Sequence, residues 1–228
     1  MPVIYASNDV INRQVVIDYI EDKKQKNPNY KVIDIGGSAN PWCDKFVDTY
    51  VDIMNSSDRR VIQGDINEMS LWNKLTGEGW DFCICTHTLE DIRDPKFVIE
   101  NIKKIAKSGF VSVPNKHTEI SNIESSEYLG FCHHRWIFQI TSSKMIRAIS
   151  KFHIINKLVP FRKSSFFGRF SKNDTKIEWR NEKLAGRGFE LAFIWEDEFH
   201  FEYVNNDFAG VSCNELAMLF IDELGEGL

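Results

Sequence analysis

Short apolar runs rich in β-branched residues, most of them stopping at a glycine or an acid, recur along the first half of the chain. Val32-Ile33-Asp34-Ile35 stops at Gly36-Gly37, Thr49-Tyr50-Val51-Asp52-Ile53 ends near an acid, and Arg60-Val61-Ile62-Gln63-Gly64-Asp65 does the same. Trp80 to Thr86 and Phe110 to Pro114 complete the series. Runs of this kind predict strands buried on both faces. Two other segments carry the helical period. Asp9 to Gln25 repeats Val10, Ile11, Val15, Ile17 and Ile20 near a 3.6 spacing, with Asn8-Asp9 placed to cap it. Pro95 to Lys107 puts Phe97, Val98, Ile102, Ile105 and Ala106 on one face and lysines on the other. Asn27-Pro28-Asn29 and Ser108-Gly109 read as the stops of these helices. Strands that each lead into a loop or helix predict an α/β fold with a central, mostly parallel sheet flanked by helices.

Past Asn115 the pattern changes. His117 to Phe131 is polar and serine-rich and reads as a long loop. Thr141 to Lys151 reads as a helix with Met145, Ile146 and Ile149 on its inner face, and Phe189 to Tyr203 as one or two strands. Asn214 to Leu224 again has helical spacing. Lys163 to Lys183 is basic and carries Phe166, Phe167, Phe170 and Trp179, which suits a lid, an insertion or an oligomer contact, so a homodimer is among the expected assemblies. With no repeat and no low-complexity linker, residues 1–228 read as one domain, with a core over about 30–160 and an appended 161–228.

Bulk composition narrows the function. Hydrophobic residues make up 43% and charged residues 27% of the 228, enough to form a full core. A net charge of -5 disfavours a non-specific nucleic-acid binder, which needs a basic footprint. The basic, aromatic stretch could hold single-stranded nucleic acid, but no base-reading motif accompanies it. No apolar run reaches the ~20 residues that span a bilayer, and no signal-peptide pattern opens the chain. The five cysteines are odd in number and scattered, which argues against a disulfide framework and for a reduced, cytoplasmic setting.

The chemistry concentrates at the strand ends. A strand ending in Gly36-Gly37 lets backbone approach a ligand, since no Cβ blocks the way. In open α/β sheets, ligands gather at the carboxyl ends of strands. Asp34 stands just before the glycines, where it could hold the loop or meet a cationic group. Asp52 follows Asp34 by 18 positions, near the separation at which an acid meets ribose hydroxyls in Rossmann units. Asp65 closes the next strand, where it could accept from the exocyclic amine of adenine while Ile66 packs on the base. Each acid alone is more often a loop cap or a solvated charge. Together they predict a Rossmann-like domain over about 31–115 that binds an adenosine-bearing cofactor.

With these residues in place, the sequence resembles the class I S-adenosylmethionine-dependent methyltransferases, particularly the small-molecule, type 11-like group. The resemblance runs from about Tyr30 to Phe152. Val32-Ile33-Asp34-Ile35-Gly36-Gly37 matches the glycine motif that contacts the methionine part of the cofactor, Asp52 the ribose acid and Asp65 the adenine acid. Trp80 to Pro95 is similar to the fourth strand and its loop, with Asp91 where many relatives have histidine after Leu-Glu. The resemblance implies S-adenosyl-L-methionine as cofactor, S-adenosyl-L-homocysteine as product, and Ser38, Ile53, Thr86 and His87 beside the acids and glycines as cofactor residues. It also departs from the pattern: Ser38-Ala39-Asn40-Pro41-Trp42 follows the glycines, with room for only a short helix before Thr49.

Phe131-Cys132-His133-His134-Arg135-Trp136-Ile137-Phe138 is the second constellation, in a region that faces the acceptor in the resembling family. Methyl transfer to a hydroxyl gains from a base, and histidine suits that task near neutral pH. His134 or His133 is the expected base and His87 the runner-up, with Arg135, Trp136 and Asn115 as expected acceptor contacts. Helix capping and core filling would account equally well for each of these residues singly. No metal is expected, because adjacent histidines rarely share an ion and paired ligand spacing is missing. The predicted function is methyl transfer to an oxygen, with nitrogen second, of a small-molecule or carbohydrate-type acceptor. A silent methyltransferase-like scaffold and an NAD-dependent oxidoreductase are the alternatives.

Overall fold

The run Val32–Ile35 is buried along its whole length, as a strand needs to be when it has neighbours on both edges and helices over its faces. The computed structural model describes residues 3–5, 9–114, 119, 128, 130–140, 146–151, 190–197 and 199–203. Its elements, in chain order, are β1 (Val3–Tyr5), α1 (Asp9–Lys26), β2 (Val32–Ile35), β3 (Thr49–Asp52), β4 (Val61–Gln63), α2 (Met69–Leu75) and β5 (Trp80–Thr86). There follow α3 (Pro95–Ile105), β6 (Ala106–Pro114), β7 (Trp136–Ile140), β8 (Ile146–Ser150), β9 (Glu190–Glu196) and β10 (Phe201–Tyr203). They form two compact units, residues 1–113 with 192–199 and residues 114–191 with 200–228.

The first unit is built on a seven-stranded sheet of order β1-β9-β6-β5-β2-β3-β4. Pairing is parallel from β6 through β5, β2 and β3 to β4. The Asp197 amide, just past β9, bonds the Lys107 carbonyl near the start of β6 at 3.1 Å, and Trp195 lies against Gly109, so β9 runs against β6. β1 is antiparallel to β9 in turn. This is the Rossmann-like α/β fold that the sequence predicts, with the mostly parallel sheet at its centre.

Alternation along the strands builds the two faces. Val32, Tyr50, Phe82, Ile84 and Phe110 cluster with Val16 and Ile20 of α1, all buried. Ile33, Ile35, Cys83, Cys85 and Val111 alternate with them toward the opposite side, which suits the buried stripe Val98, Ile99, Ile102 and Ile105 of α3. α3 starts where Asp94 accepts a hydrogen bond from the Phe97 amide at 2.9 Å, with Pro95 in the first turn and Lys103 and Lys104 in the last. All three placements favour a helix running in this direction.

Several boundaries differ from the sequence reading. α3 ends at Ile105 and β6 begins at once, so Ser108-Gly109 lies inside the strand rather than ending the helix. Gly109 is needed there for close packing: a Cβ would stand 2.3 Å from the Cys83 carbonyl oxygen and 2.8 Å from Trp195 Nε1. α2 and β1 were not foreseen. Within 141–151, residues 146–150 are a strand and not a helix. The spacing of Ile146 and Ile149 imitates a helix, but cross-strand pairing with β7, Ile137 opposite Ile149 and Phe138 opposite Ala148, takes precedence.

The second unit carries a three-stranded sheet of order β10-β8-β7. β8 pairs antiparallel with β7 and parallel with β10. Trp136 and Tyr203 stack across it at 4.9 Å. Most of the expected loop 117–131, the basic stretch 163–183 and the helix expected over 214–224 lie outside the described residues.

Candidate functional site

From β2 the chain proceeds to β3 and β4 on one side and then crosses to β5 and β6 on the other. The switch point therefore falls between β2 and β5, and the crevice beyond their carboxyl ends is where an open α/β sheet takes its ligand. Gly36-Gly37 ends β2, and Thr86-His87-Thr88 ends β5. The two ends are joined directly. The Thr88 hydroxyl lies 3.0 Å from the Thr86 carbonyl oxygen and 3.3 Å from that of Ile35. Gly36 has φ +87°, a region open to glycine, and a Cβ there would meet Thr88 Oγ1 at 2.3 Å. Its amide donates to the Val51 carbonyl at 2.7 Å, which ties the turn to β3 as well.

Beneath this turn sits Asp34, with no exposed surface and, among the described residues, no hydrogen-bond partner for either carboxylate oxygen. Gly37 covers it so closely that a Cβ would stand 2.2 Å from Oδ2. Burial, reinforced by the charge of Asp52, pushes the Asp34 carboxyl up to about 8. A buried, unpaired acid of this kind, at the end of a strand beside the switch point, is a candidate functional residue.

Asp52 closes β3 and is nearly buried. Its Oδ2 accepts from the Ser38 hydroxyl at 2.6 Å and its Oδ1 from the Met54 amide at 3.0 Å. Each oxygen keeps a lone pair for a further donor. Ile53 and Met54 follow at 64% exposure each, an apolar ledge beside the acid. Asp65, past the end of β4, accepts from the Asn67 backbone at 2.8 Å and side chain at 2.9 Å, and these bonds lower its pKa. Ile66 is buried, and its carbonyl takes the Trp72 indole N–H at 2.8 Å. The sequence places Ile66 on the adenine; in the structure it is 7% exposed, whereas Ile53 and Met54 offer the open apolar surface.

Residues 38–48 form turns with no helix. Trp42, unmarked by the sequence reading, lies in this segment. Its indole donates to Thr86 Oγ1 at 3.2 Å and meets Phe110 edge-on, while Arg13 of α1 lies over its ring at 5.6 Å. His87 adopts φ +48°, in the left-handed region that few residues other than glycine enter, histidine more readily than most. Its Nδ1 is 3.2 Å from Oε1 of the buried Glu90. A left-handed residue at a strand end, with its imidazole against a buried carboxylate, is a candidate functional position. The Leu89-Glu90 pair, one turn past the strand, was the available clue to the second member.

The histidine pair belongs to the second unit. His134 is buried, its Nδ1 2.6 Å from Oε1 of Glu119, whose side chain has no exposed surface. Lys151 Nζ lies 2.5 Å from Glu119 Oε2 and also donates to the Phe131 carbonyl at 2.7 Å. His133 is exposed, edge-on to His134 at 4.5 Å. Arg135 is exposed and Trp136 half-buried against Tyr203. Asn115 lies outside the described residues. No local pattern links Glu119 with Lys151, 32 positions apart.

No family model matches the chain, and no curated protein does. Three solved structures illustrate what its shape is similar to. A CurJ carbon methyltransferase shows 12% identity and a TM-score of 0.37, over 47% of this chain and 37% of that one, so the chain spans little more than a third of that protein. A methyltransferase from Thermotoga maritima, described as a possible histamine N-methyltransferase, shows 12% identity over 82% and 92%, at TM-score 0.37. An S-adenosylmethionine-dependent methyltransferase from Mesorhizobium loti shows 11% identity over 72% and 89%, also at 0.37. Scores this low leave the chemistry to the residues themselves.

Proposed function

We propose that the chain is an S-adenosylmethionine-dependent methyltransferase acting on an oxygen, with nitrogen second, of a small-molecule or carbohydrate-type acceptor. Residues 1–228 would serve as a single cytoplasmic methyltransferase domain, with a homodimer among the assemblies open to it. The observation that carries the reading is the row Asp34, Asp52 and Asp65 at the ends of the adjacent strands β2, β3 and β4, beside a glycine turn at the switch point. The cofactor fits these residues group by group. Asp34, buried just beneath Gly37, sets a carboxyl close under the turn that would receive a cationic group such as an ammonium, Asp52 has lone pairs for the ribose diol, and Ile53 and Met54 give an adenine ring an apolar ledge. Asp65 keeps an oxygen for the adenine amine.

A dinucleotide suits the site less well. Its pyrophosphate needs a helix N-terminus after the first strand, and residues 38–48 provide turns instead. S-adenosylmethionine has no pyrophosphate, and when bound it supplies an electrophilic methyl group. The protein's part is to bring an acceptor oxygen in line with that carbon, a contribution that can be large, and to take the proton. His87 is the base we favour over His133 and His134, since it lies at the end of β5 with Glu90 against its Nδ1. Arg135, Trp136 and Asn115 are kept as proposed acceptor contacts.

Calorimetric titration with S-adenosylmethionine, S-adenosylhomocysteine and NAD tests the proposal. Micromolar binding of the two adenosyl ligands with no NAD binding is the expected result. No binding of either would favour the silent scaffold. Asp52→Ala should weaken S-adenosylhomocysteine roughly 10- to 100-fold, because hydrogen bonds to a charged acceptor contribute ~1.5–3 kcal/mol; unchanged affinity would remove Asp52 from the ribose role. His87→Ala should slow turnover of an identified acceptor by roughly 10²–10⁴ while cofactor affinity changes little. A variant that turns over normally would return the base to the histidine pair.

A further inference from the structure

We propose that Asp34 carries a proton in the ligand-free protein and gives it up when an ammonium-bearing nucleoside seats at Gly36-Gly37, so that ligand binding and proton release are one event. The inference rests on the adenosyl reading above and adds to it a proton that the reading does not require.

The geometry is that of an acid with nothing to hold its charge. Both Asp34 oxygens are buried and, among the described residues, without partners. A carboxylate is ionised cheaply only when water, donors or a cation stabilise it. Among the described residues, the titratable groups that face it come from three elements. Asp52 and Tyr50 belong to β3, Cys83 and Cys85 to β5, and Cys43 to the loop between β2 and β3. None of these five is a cation. Asp52 opposes a second negative charge, and the thiols and the phenol are themselves pushed up by burial, Cys43 to about 12. Burial first, and then the neighbouring charge of Asp52, therefore oppose ionisation of Asp34. Among the described residues Asp52 accepts two hydrogen bonds, whereas Asp34 accepts none that would hold a negative charge.

A ligand changes this balance without touching the carboxyl. Gly37 presents only backbone above Asp34, so a positive charge in the glycine turn acts across a few ångströms of low-dielectric protein. Such a charge favours the ionised form. The proton leaves to solvent, and no bond to the ligand forms or breaks. The site would then select for the amino group: S-adenosylhomocysteine carries one, and 5′-methylthioadenosine, with the same adenosine and thioether, does not.

The test is calorimetry of the intact chain at pH 7 in two buffers of different ionisation enthalpy, phosphate and Tris. S-adenosylhomocysteine should release close to one proton per site, and methylthioadenosine close to none. In Asp34→Asn the release on S-adenosylhomocysteine should vanish. Binding of S-adenosylhomocysteine with the same heat in both buffers overturns the proposal and leaves the adenosyl reading standing. So does a release that persists in Asp34→Asn. Failure of both ligands to bind sinks the adenosyl reading itself.

Discussion

Asp34→Asn should make the protein more stable while weakening its hold on the cofactor. The carboxyl is fully buried, unpartnered and raised from 3.8 to about 8. The sign follows from the protons bound. Between these two values the folded state holds a proton that the unfolded chain has lost, so this group makes stability fall as pH rises through that window. Below pH 4 both states are protonated and the effect disappears. By pH 7 the wild type has crossed about three pH units of that window at ~1.4 kcal/mol each, which sets an upper bound. Discounting for relaxation of the site, asparagine should add on the order of 2–4 kcal/mol near neutrality. For a chain of this size that raises Tm by roughly 5–10 °C. Thermal melts of both proteins at pH 4.5 and 8.5 would check it: the gap should be small in acid and widest in base. A variant that melts at the same temperature as wild type at pH 8.5 would mean that Asp34 ionises freely. The accompanying loss of cofactor affinity would make Asp34 a residue held for binding at the expense of stability.

The position of Asp34 shows what a sequence discloses and what it leaves out. Val32-Ile33-Asp34-Ile35-Gly36-Gly37 was readable because a buried strand has to be apolar throughout, and an acid in such a run stands out by exception. The same logic exposed Asp52 and Asp65 at the ends of their strands. That Asp34 has no donor could not be read, since it depends on where β3, β5 and the 38–48 loop come to rest. Trp42 escaped notice for the same reason: its bond to Thr86 spans 44 positions. The seven-residue α2 is too short for its buried Leu71, Trp72 and Leu75 to show a period. Ile146–Ser150 shows the opposite failure, a local pattern overruled by cross-strand pairing. Gly109 looked like a helix stop because its reason for being glycine, the approach of Trp195, lies 86 positions away.

In the second unit, Lys151→Met should cost on the order of 3–5 kcal/mol, the usual penalty for leaving one partner of a buried ion pair unopposed. Glu119 has no exposed side-chain surface, and its two oxygens are spent on His134 Nδ1 and Lys151 Nζ. Lys151 is 7% exposed and also satisfies the Phe131 carbonyl. Space around the pair is already taken. Gly130, at φ +60°, approaches so closely that a Cβ would stand 2.4 Å from Glu119 Oε2, so no added side chain can replace the lost ammonium from that direction. Methionine keeps most of the apolar stem of lysine, and the loss therefore reports the charge more than the packing. Pairing the change with Glu119→Gln removes the stranded carboxylate, and the double variant should recover a large part of the loss. Urea unfolding of the two single variants and the double variant completes a mutant cycle. Coupling above ~1.5 kcal/mol is expected for groups sharing one buried network. Strict additivity would show that Glu119 and Lys151 are solvated independently, and the second unit would then owe its fold to the β7–β8–β10 sheet rather than to this buried pair.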